Sequence, residues 1–313
     1  MSTVFERLAR EARVAVIRLR SLGDSVLTTP ALSLLKQARP DLRIAVVVED
    51  AFAPVFAGNP DVDCILRPNA SEISRWRPHL ALNFHGGATS VRLTLASRAS
   101  FRAGFCHFRF RPIYNIRIPR AQEILHVDRK VHTAEHLASA IFFLGAPMAE
   151  IPRARLFAKP ASRPRPYAVL HPMASAPDKL WPHSNFLAVA DHIENHLGLQ
   201  PVFISGRGES LDAFNRYTCL EGASLEEIKS LLAGAALFIG NDSGPAHMAA
   251  AFGLPVVVMF GSSDPDIWRP WQTESSVLSS PAGIQSIGIH EALRAIQTVR
   301  VPNSQPLVPH LSQ

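Results

Sequence analysis

Apolar residues follow two rhythms along this chain. Short continuous apolar runs alternate with longer stretches in which apolar positions recur every three or four residues, which predicts buried parallel strands alternating with amphipathic helices. Residues 13–19 form the first run, with Val14, Ala15, Val16, Ile17 and Leu19, and lead into Ser21-Leu22-Gly23-Asp24. Leu27, Ala31, Leu34, Leu35 and Ala38 then share one helical face. Pro30 lies inside that pattern, so the helix is expected to start near Thr29 or to kink there. Arg39-Pro40-Asp41 closes it, and residues 44–48 give the next strand, completing a βαβ unit. Further strands are predicted at 63–66 and 80–84, and a helix at 132–144 turns Leu137, Ala140, Ile141 and Leu144 inward.

The pattern breaks at residues 159–166, where three prolines occur with no apolar side chain larger than alanine; such a stretch reads as a linker. Alternation then resumes. Strands are predicted at 167–170, 201–205, 236–239 and 256–260, and helices at 184–197, at 246–252, and from the capping-box spacing Ser224-Leu-Glu-Glu227 through Leu232. The fold class is therefore α/β, with two Rossmann-like, doubly wound domains at 1–160 and 161–313 facing across a cleft. The final helix is expected to pack back on the first domain, and the proline-bearing tail at 301–313 to be disordered. Ligands of such sheets sit at the carboxyl ends of the strands.

Composition narrows the class. Of 313 residues, 47% are hydrophobic and 19% charged, enough apolar material for two buried cores. No apolar run approaches a bilayer span, and Glu6, Arg7, Arg10, Glu11, Arg13 and Arg18 interrupt any leader-like core, so a cytoplasmic location is expected. Cys64, Cys106 and Cys219 fit no metal or redox spacing. The net charge of +6 is uneven. Residues 91–120 hold seven arginines (92, 98, 102, 109, 111, 117 and 120) and no acid. That stretch suits phosphates, acidic sugars or an anionic membrane surface, or is simply a solvated face. No zinc-finger spacing, basic-region heptad or RNP-like motif supports nucleic acid as a partner.

Three loops at strand ends hold candidate chemistry. Asp24 stands at the start of a helix, where a carboxylate serves as a cap or as a general base. Gly23 allows the tight turn before it. Gly240-Asn-Asp-Ser-Gly-Pro-Ala-His247 bridges a buried strand and a helix start. Exposed amides there, with the Ser243 hydroxyl and His247, favour a phosphate pocket over a plain Asp242 cap. Pro245 suits the first helical turn, where its missing N–H is harmless. The third loop runs from Ser175 through Lys179 to Trp181-Pro182; Lys179 either neutralises a diphosphate or is merely solvated. Glu209, after the next strand, either meets ribose hydroxyls or is an ordinary surface acid. Asp264-Pro265-Asp266 has the DxD spacing, but its setting predicts turn or cap chemistry. The turn at Ser21–Asp24 is not a dinucleotide fingerprint, which argues against a nicotinamide enzyme.

These residues taken together resemble glycosyltransferase family 9, the heptosyltransferases. The match runs through Ile17-Arg-Leu-Arg-Ser-Leu-Gly-Asp24, Leu27-Thr-Thr-Pro-Ala31, Asn83-Phe-His-Gly86, Lys179-Leu-Trp-Pro182, Asn241-Asp-Ser-Gly-Pro-Ala-His247, Ala249-Ala-Ala-Phe-Gly-Leu-Pro255 and Phe260-Gly-Ser-Ser-Asp-Pro265. Many members carry Thr where this chain has Ser243, and Gly-Pro-Thr-Asp-Pro where it has residues 261–265. The resemblance implies a GT-B fold and inverting transfer of a heptose or related sugar from an ADP-activated donor to a lipopolysaccharide-core hydroxyl, without metal or other cofactor. It implies Asp24 as the catalytic base. Ser175, Lys179, Glu209, Asp242, Ser243, Gly244 and His247 would hold the donor, ADP-heptose being favoured. The first domain would take an acidic glycolipid acceptor, with Gly23, Arg92, Arg98 and Arg102 as candidate contacts and peripheral contact with an anionic inner membrane. The alternatives are a sugar-nucleotide epimerase of the same fold and an inactive nucleotide-sugar-binding relative.

Overall fold

A computed structural model describes residues 2–300; the expected disorder at 301–313 lies outside the described residues. The chain divides into two compact units after Phe157. The first begins with a short helix, α1 (Val4–Arg7). Its six strands are β1 (Arg13–Ile17), β2 (Arg43–Val47), β3 (Cys64–Leu66), β4 (Leu80–Asn83), β5 (Phe101–Phe105) and β6 (Ile116–Ile118). Between and after them run α2 (Leu22–Ala38), α3 (Ala70–Trp76), α4 (Ala88–Ala96), α5 (Ala121–Leu125) and α6 (Thr133–Leu144). Every strand pair is parallel, in the order β3-β2-β1-β4-β5-β6. Val14 is in register with Ile44 on one side and Leu80 on the other. Central strands carry apolar side chains on both faces because helices cover both.

The second unit repeats the plan. Its strands are β7 (Tyr167–His171), β8 (Gln200–Ile204), β9 (Thr218–Leu220), β10 (Leu237–Asn241), β11 (Val256–Phe260) and β12 (Ser275–Ser279). Its helices are α7 (His183–Leu197), α8 (Leu225–Ala233), α9 (Gly244–Phe252), α10 (Pro265–Trp268) and α11 (Ile289–Thr298). All pairs are again parallel, in the order β12-β11-β10-β7-β8-β9. Read from its own first strand, this is the strand order of the first unit. Each sheet therefore reverses direction between its first and fourth strands, which opens a ligand crevice at the carboxyl edge. Trp181, Phe186, Phe203 and Phe214 fill the second core, and α11 adds Ala292, Ala295 and Ile296 to it.

Pro30 neither starts α2 nor ends it: the helix begins at Leu22, seven residues before the expected Thr29 start. Proline removes the N–H that would bond the Val26 carbonyl. The Thr29 hydroxyl takes that place, donating to Val26 O at 2.8 Å, and in turn accepts the Arg155 N–H at 3.1 Å. No helix among the described residues is long and apolar enough to cross a membrane. All three cysteines are free and half-buried.

Candidate active site

In the first unit, the crevice lies where β1 ends and α2 begins. Asp24 sits in the first turn of α2 and accepts hydrogen bonds from the Ser21 N–H at 3.3 Å and the Ser21 hydroxyl at 3.0 Å. It thus caps the turn, as the plainer of the two readings expects. It also pairs with Arg18, and its side chain keeps 19% exposure. Arg18 itself is only 9% exposed and donates from Nη1 to the Phe84 carbonyl at 2.5 Å. Burial pulls this guanidinium down to about 10, which leaves it cationic at neutral pH beside the carboxylate. A carboxylate anchored on both oxygens retains lone pairs for an incoming proton.

The neighbouring strand ends shape the rest of this edge. Asn83, fully buried at the end of β4, holds Ser90, Thr94 and Tyr114 within 3.1 Å of its amide nitrogen and accepts the His85 and Gly86 N–H groups. Beyond β5 and β6 a cavity of about 810 Å³ is lined by His107, Arg120, Glu123, Asp128, Arg129, Lys130 and His136 among others. His136, in the first turn of α6, stacks on Phe105 at 4.0 Å. Burial, then His107 and Arg18, push it down to about 4, so it is neutral at pH 7. Arg129 is held by Glu135 through two bonds of 2.6 and 2.9 Å.

In the second unit, the loops after β7 and β10 meet at the switch point. His171, the last residue of β7, places Nδ1 3.0 Å from the Ser243 hydroxyl. Lys179 Nζ lies 3.3 Å from Asp242 Oδ2. Asn241 ties the two loops together: its side chain accepts the Trp181 N–H at 3.2 Å and donates to Pro172 O at 2.9 Å. Gly261 is required here, because a Cβ would collide with the Asp178 carbonyl and lie 2.9 Å from Lys179 Cα. Helix α9 opens at Gly244 with Pro245 in its first turn, and its free N–H groups and positive dipole end favour an anion at this point. His247 is not a surface residue. It is 5% exposed, its Nδ1 has no hydrogen-bond partner, and burial pushes it down to about 4 against the opposing pull of Asp242. His171, 6% exposed, is likewise pushed down to about 4 by burial.

The other expected site residues divide. Ser175 belongs to the loop after β7, and Glu209 to the loop after β8, where it accepts the Gly206 N–H at 2.7 Å and closes its own turn. Asp264 caps α10 by accepting the Asp266 N–H at 3.0 Å, the role its setting predicted. Gly23 is in the first turn of α2 beside Asp24. Arg92 is mid-helix on the exposed face of α4. Arg102 is engaged within its own unit, donating to Ile113 O and Ala99 O at 3.0 Å each. Arg98 lies beside Arg13 at the amino edge, the end of the sheet opposite Asp24. The seven-arginine stretch is thus split between two edges rather than gathered on one face. Arg18, His136 and His171 were not singled out from sequence, since each stands within or beside an apolar run and looks like part of it.

Two doubly wound parallel units, one with a carboxylate at its switch point and the other with a lysine, hydroxyl and helix-start loop at the equivalent place, define a nucleotide-sugar transferase of the GT-B class. A family model described as glycosyltransferase family 9 (heptosyltransferase) matches residues 77–288. Lipopolysaccharide heptosyltransferase 3 of Escherichia coli is 28% identical over 297 residues, covering 81% of this chain and 84% of that protein. Among solved structures, the family 9 glycosyltransferase of Veillonella parvula superposes with a TM-score of 0.80 at 22% identity, covering 93% of this chain and 98% of that one. The E. coli heptosyltransferase WaaC, solved with ADP, does so with a TM-score of 0.77 at 19% identity, covering 91% and 99%. The chain belongs to glycosyltransferase family 9, the heptosyltransferases.

Proposed function

We propose that the protein transfers a heptose, with inversion and without a metal ion, from ADP-heptose to a hydroxyl of an acidic, lipopolysaccharide-core-type acceptor at the cytoplasmic face of the inner membrane. The observation that carries this reading is the second-unit switch point, where Lys179, Ser243 and the start of α9 converge, in a chain of this family. The relative solved with ADP supports the choice of nucleotide.

The first unit takes the acceptor and the second the donor. The acceptor oxygen attacks the anomeric carbon, the bond from that carbon to the β-phosphate oxygen breaks, and ADP leaves with the electron pair. Asp24 receives the hydroxyl proton as the new C–O bond forms. Arg18 and Ser21 fix the direction of its free lone pairs. On the donor side, Lys179 and the α9 N–H groups take up the charge that develops on the diphosphate. Asp242 holds Lys179 in reach, and Ser175 and Glu209 complete the donor contacts. His247, neutral when empty, gains a reason to keep a proton once a diphosphate is near. The cavity bearing Arg120, Arg129 and Lys130 shares the carboxyl edge with Asp24, where an acceptor must lie, whereas Arg98 and Arg102 belong to the amino edge.

Asp24→Ala is expected to abolish transfer while ADP still raises the melting temperature; full activity in that variant removes Asp24 from the chemistry. A thermal-shift screen of ADP-, UDP- and GDP-sugars tests the donor, with selective stabilisation by ADP-heptose expected. Incubation with donor alone separates the transferase from an epimerase, which would convert it.

A further inference from the structure

At the amino edge of the first sheet, the end opposite Asp24, a polar cleft of about 760 Å³ is lined by Arg13, Arg75, Arg77 and Arg98, with the hydroxyls of Ser71 and Ser74. Arg13 opens β1 and Arg18 follows its end, so at about 3.3 Å per residue the two edges are roughly 15 Å apart. None of the four arginines has a carboxylate partner among the described residues. Arg13 Nε donates to the Arg77 carbonyl at 3.2 Å. Among the described residues, the guanidinium groups of Arg75, Arg77 and Arg98 make no hydrogen bond within the unit, and all three residues are exposed.

Backbone geometry bears on two of the same side chains. Arg77 and Arg98 both adopt left-handed backbone, with φ of 49° and 52°. Such positions just after a helix are where glycine is least costly. Both turns thus carry an arginine where the backbone favours glycine, and both side chains line the one cleft. The carboxyl ends of α3 and α4 bring partial negative charge nearby, and complementing two helix ends needs two cations, not four.

We propose that Arg13, Arg75, Arg77 and Arg98 form a second binding site, distinct from the transferase centre, for a phosphate-bearing ligand. Guanidinium forks bind phosphate oxygens in pairs, and the Ser74 hydroxyl supplies a further donor. The phosphate is carried either by a soluble phosphorylated molecule or by a lipid headgroup.

The two sources are separated by titrating inorganic pyrophosphate calorimetrically and by flotation with phosphatidylglycerol vesicles. Both are done on Lys179→Ala protein, so that the donor loop does not contribute, with and without Arg77→Gly/Arg98→Gly. Glycine relieves both left-handed positions, so the melting temperature is expected to hold or rise; if it falls, Arg75→Ala on the exposed face of α3 replaces the pair. Pyrophosphate binding weakened about tenfold or more identifies a soluble ligand. Vesicle binding lost without any pyrophosphate binding identifies a headgroup. Equal behaviour of the paired proteins in both assays overturns the proposal. Should Lys179→Ala leave ADP binding intact, the donor assignment fails while the cleft remains tested.

Discussion

A guanidinium mostly out of water needs a nearby anion, and for Arg18 that anion is Asp24. The pairing makes Arg18 a positioning residue for the carboxylate proposed as the base. Arg18→Met is expected to lower kcat about tenfold or more while the KM for donor is little changed. The acid limb of the pH–rate profile should move to higher pH, because removing a cation raises the proton affinity of a neighbouring carboxylate. A purely structural role would lower activity without moving that limb. This residue also shows what the sequence hides. Asp24 could be found because Ser21-Leu22-Gly23-Asp24 is a polar turn after an apolar run. Arg18 and His171 could not, because a charged or titratable group at the end of a buried strand is visible only once its partners are in place: Phe84, 66 positions away, for Arg18, and Ser243, 72 positions away, for His171.

Elements were legible in proportion to their burial. β1, β2, β10 and β11 are continuous apolar runs, and α7 and α8 keep a clear helical period, so each could be read from the chain. β5, β6, β9 and β12 could not. Phe101–Phe105 contains Arg102 and Gly104, Ile116–Ile118 and Thr218–Leu220 are three residues long, and Ser275–Ser279 is mostly serine. β6, β9 and β12 lie at sheet edges, where one side needs no partner and the apolar requirement relaxes. Pro30 left two expectations for α2, a start near Thr29 or a kink there; the helix instead starts at Leu22, and the cost of the proline is met by the Thr29 hydroxyl. At the level of loops, the contact between Gly261 and the Asp178–Lys179 segment sets where the lysine stands. Gly261→Ala should displace that segment and weaken ADP binding between about ten- and a hundredfold, read by calorimetry, with an unchanged far-UV spectrum.

For the whole molecule, buried neutral histidines set a pH limit. His171 and His247 are both pushed down to about 4 by burial, below the ordinary value of 6.5. The unfolded chain therefore takes up protons first as pH falls. The stability that these groups leave intact above pH 7 is lost progressively between 6.5 and 4. By pH 5 the loss is on the order of 2 kcal/mol for each. Urea midpoints at pH 7.5 and 5.0 should show it, and equal midpoints would mean that these side chains are hydrated. Bound ADP should reduce the loss, since a diphosphate beside His247 favours its protonated form.

The Thr29 hydroxyl has a second consequence through the amide it receives from Arg155. Arg155 lies two residues before the first unit ends, and α2, which it grips, is the helix that bears Asp24. The segment that leads out of the first unit is thereby moored to the same rod as Asp24. One oxygen atom therefore has two jobs, mending the gap a proline leaves in the rod and fixing the end of the segment to it, so position 29 cannot lose its hydroxyl without disturbing both.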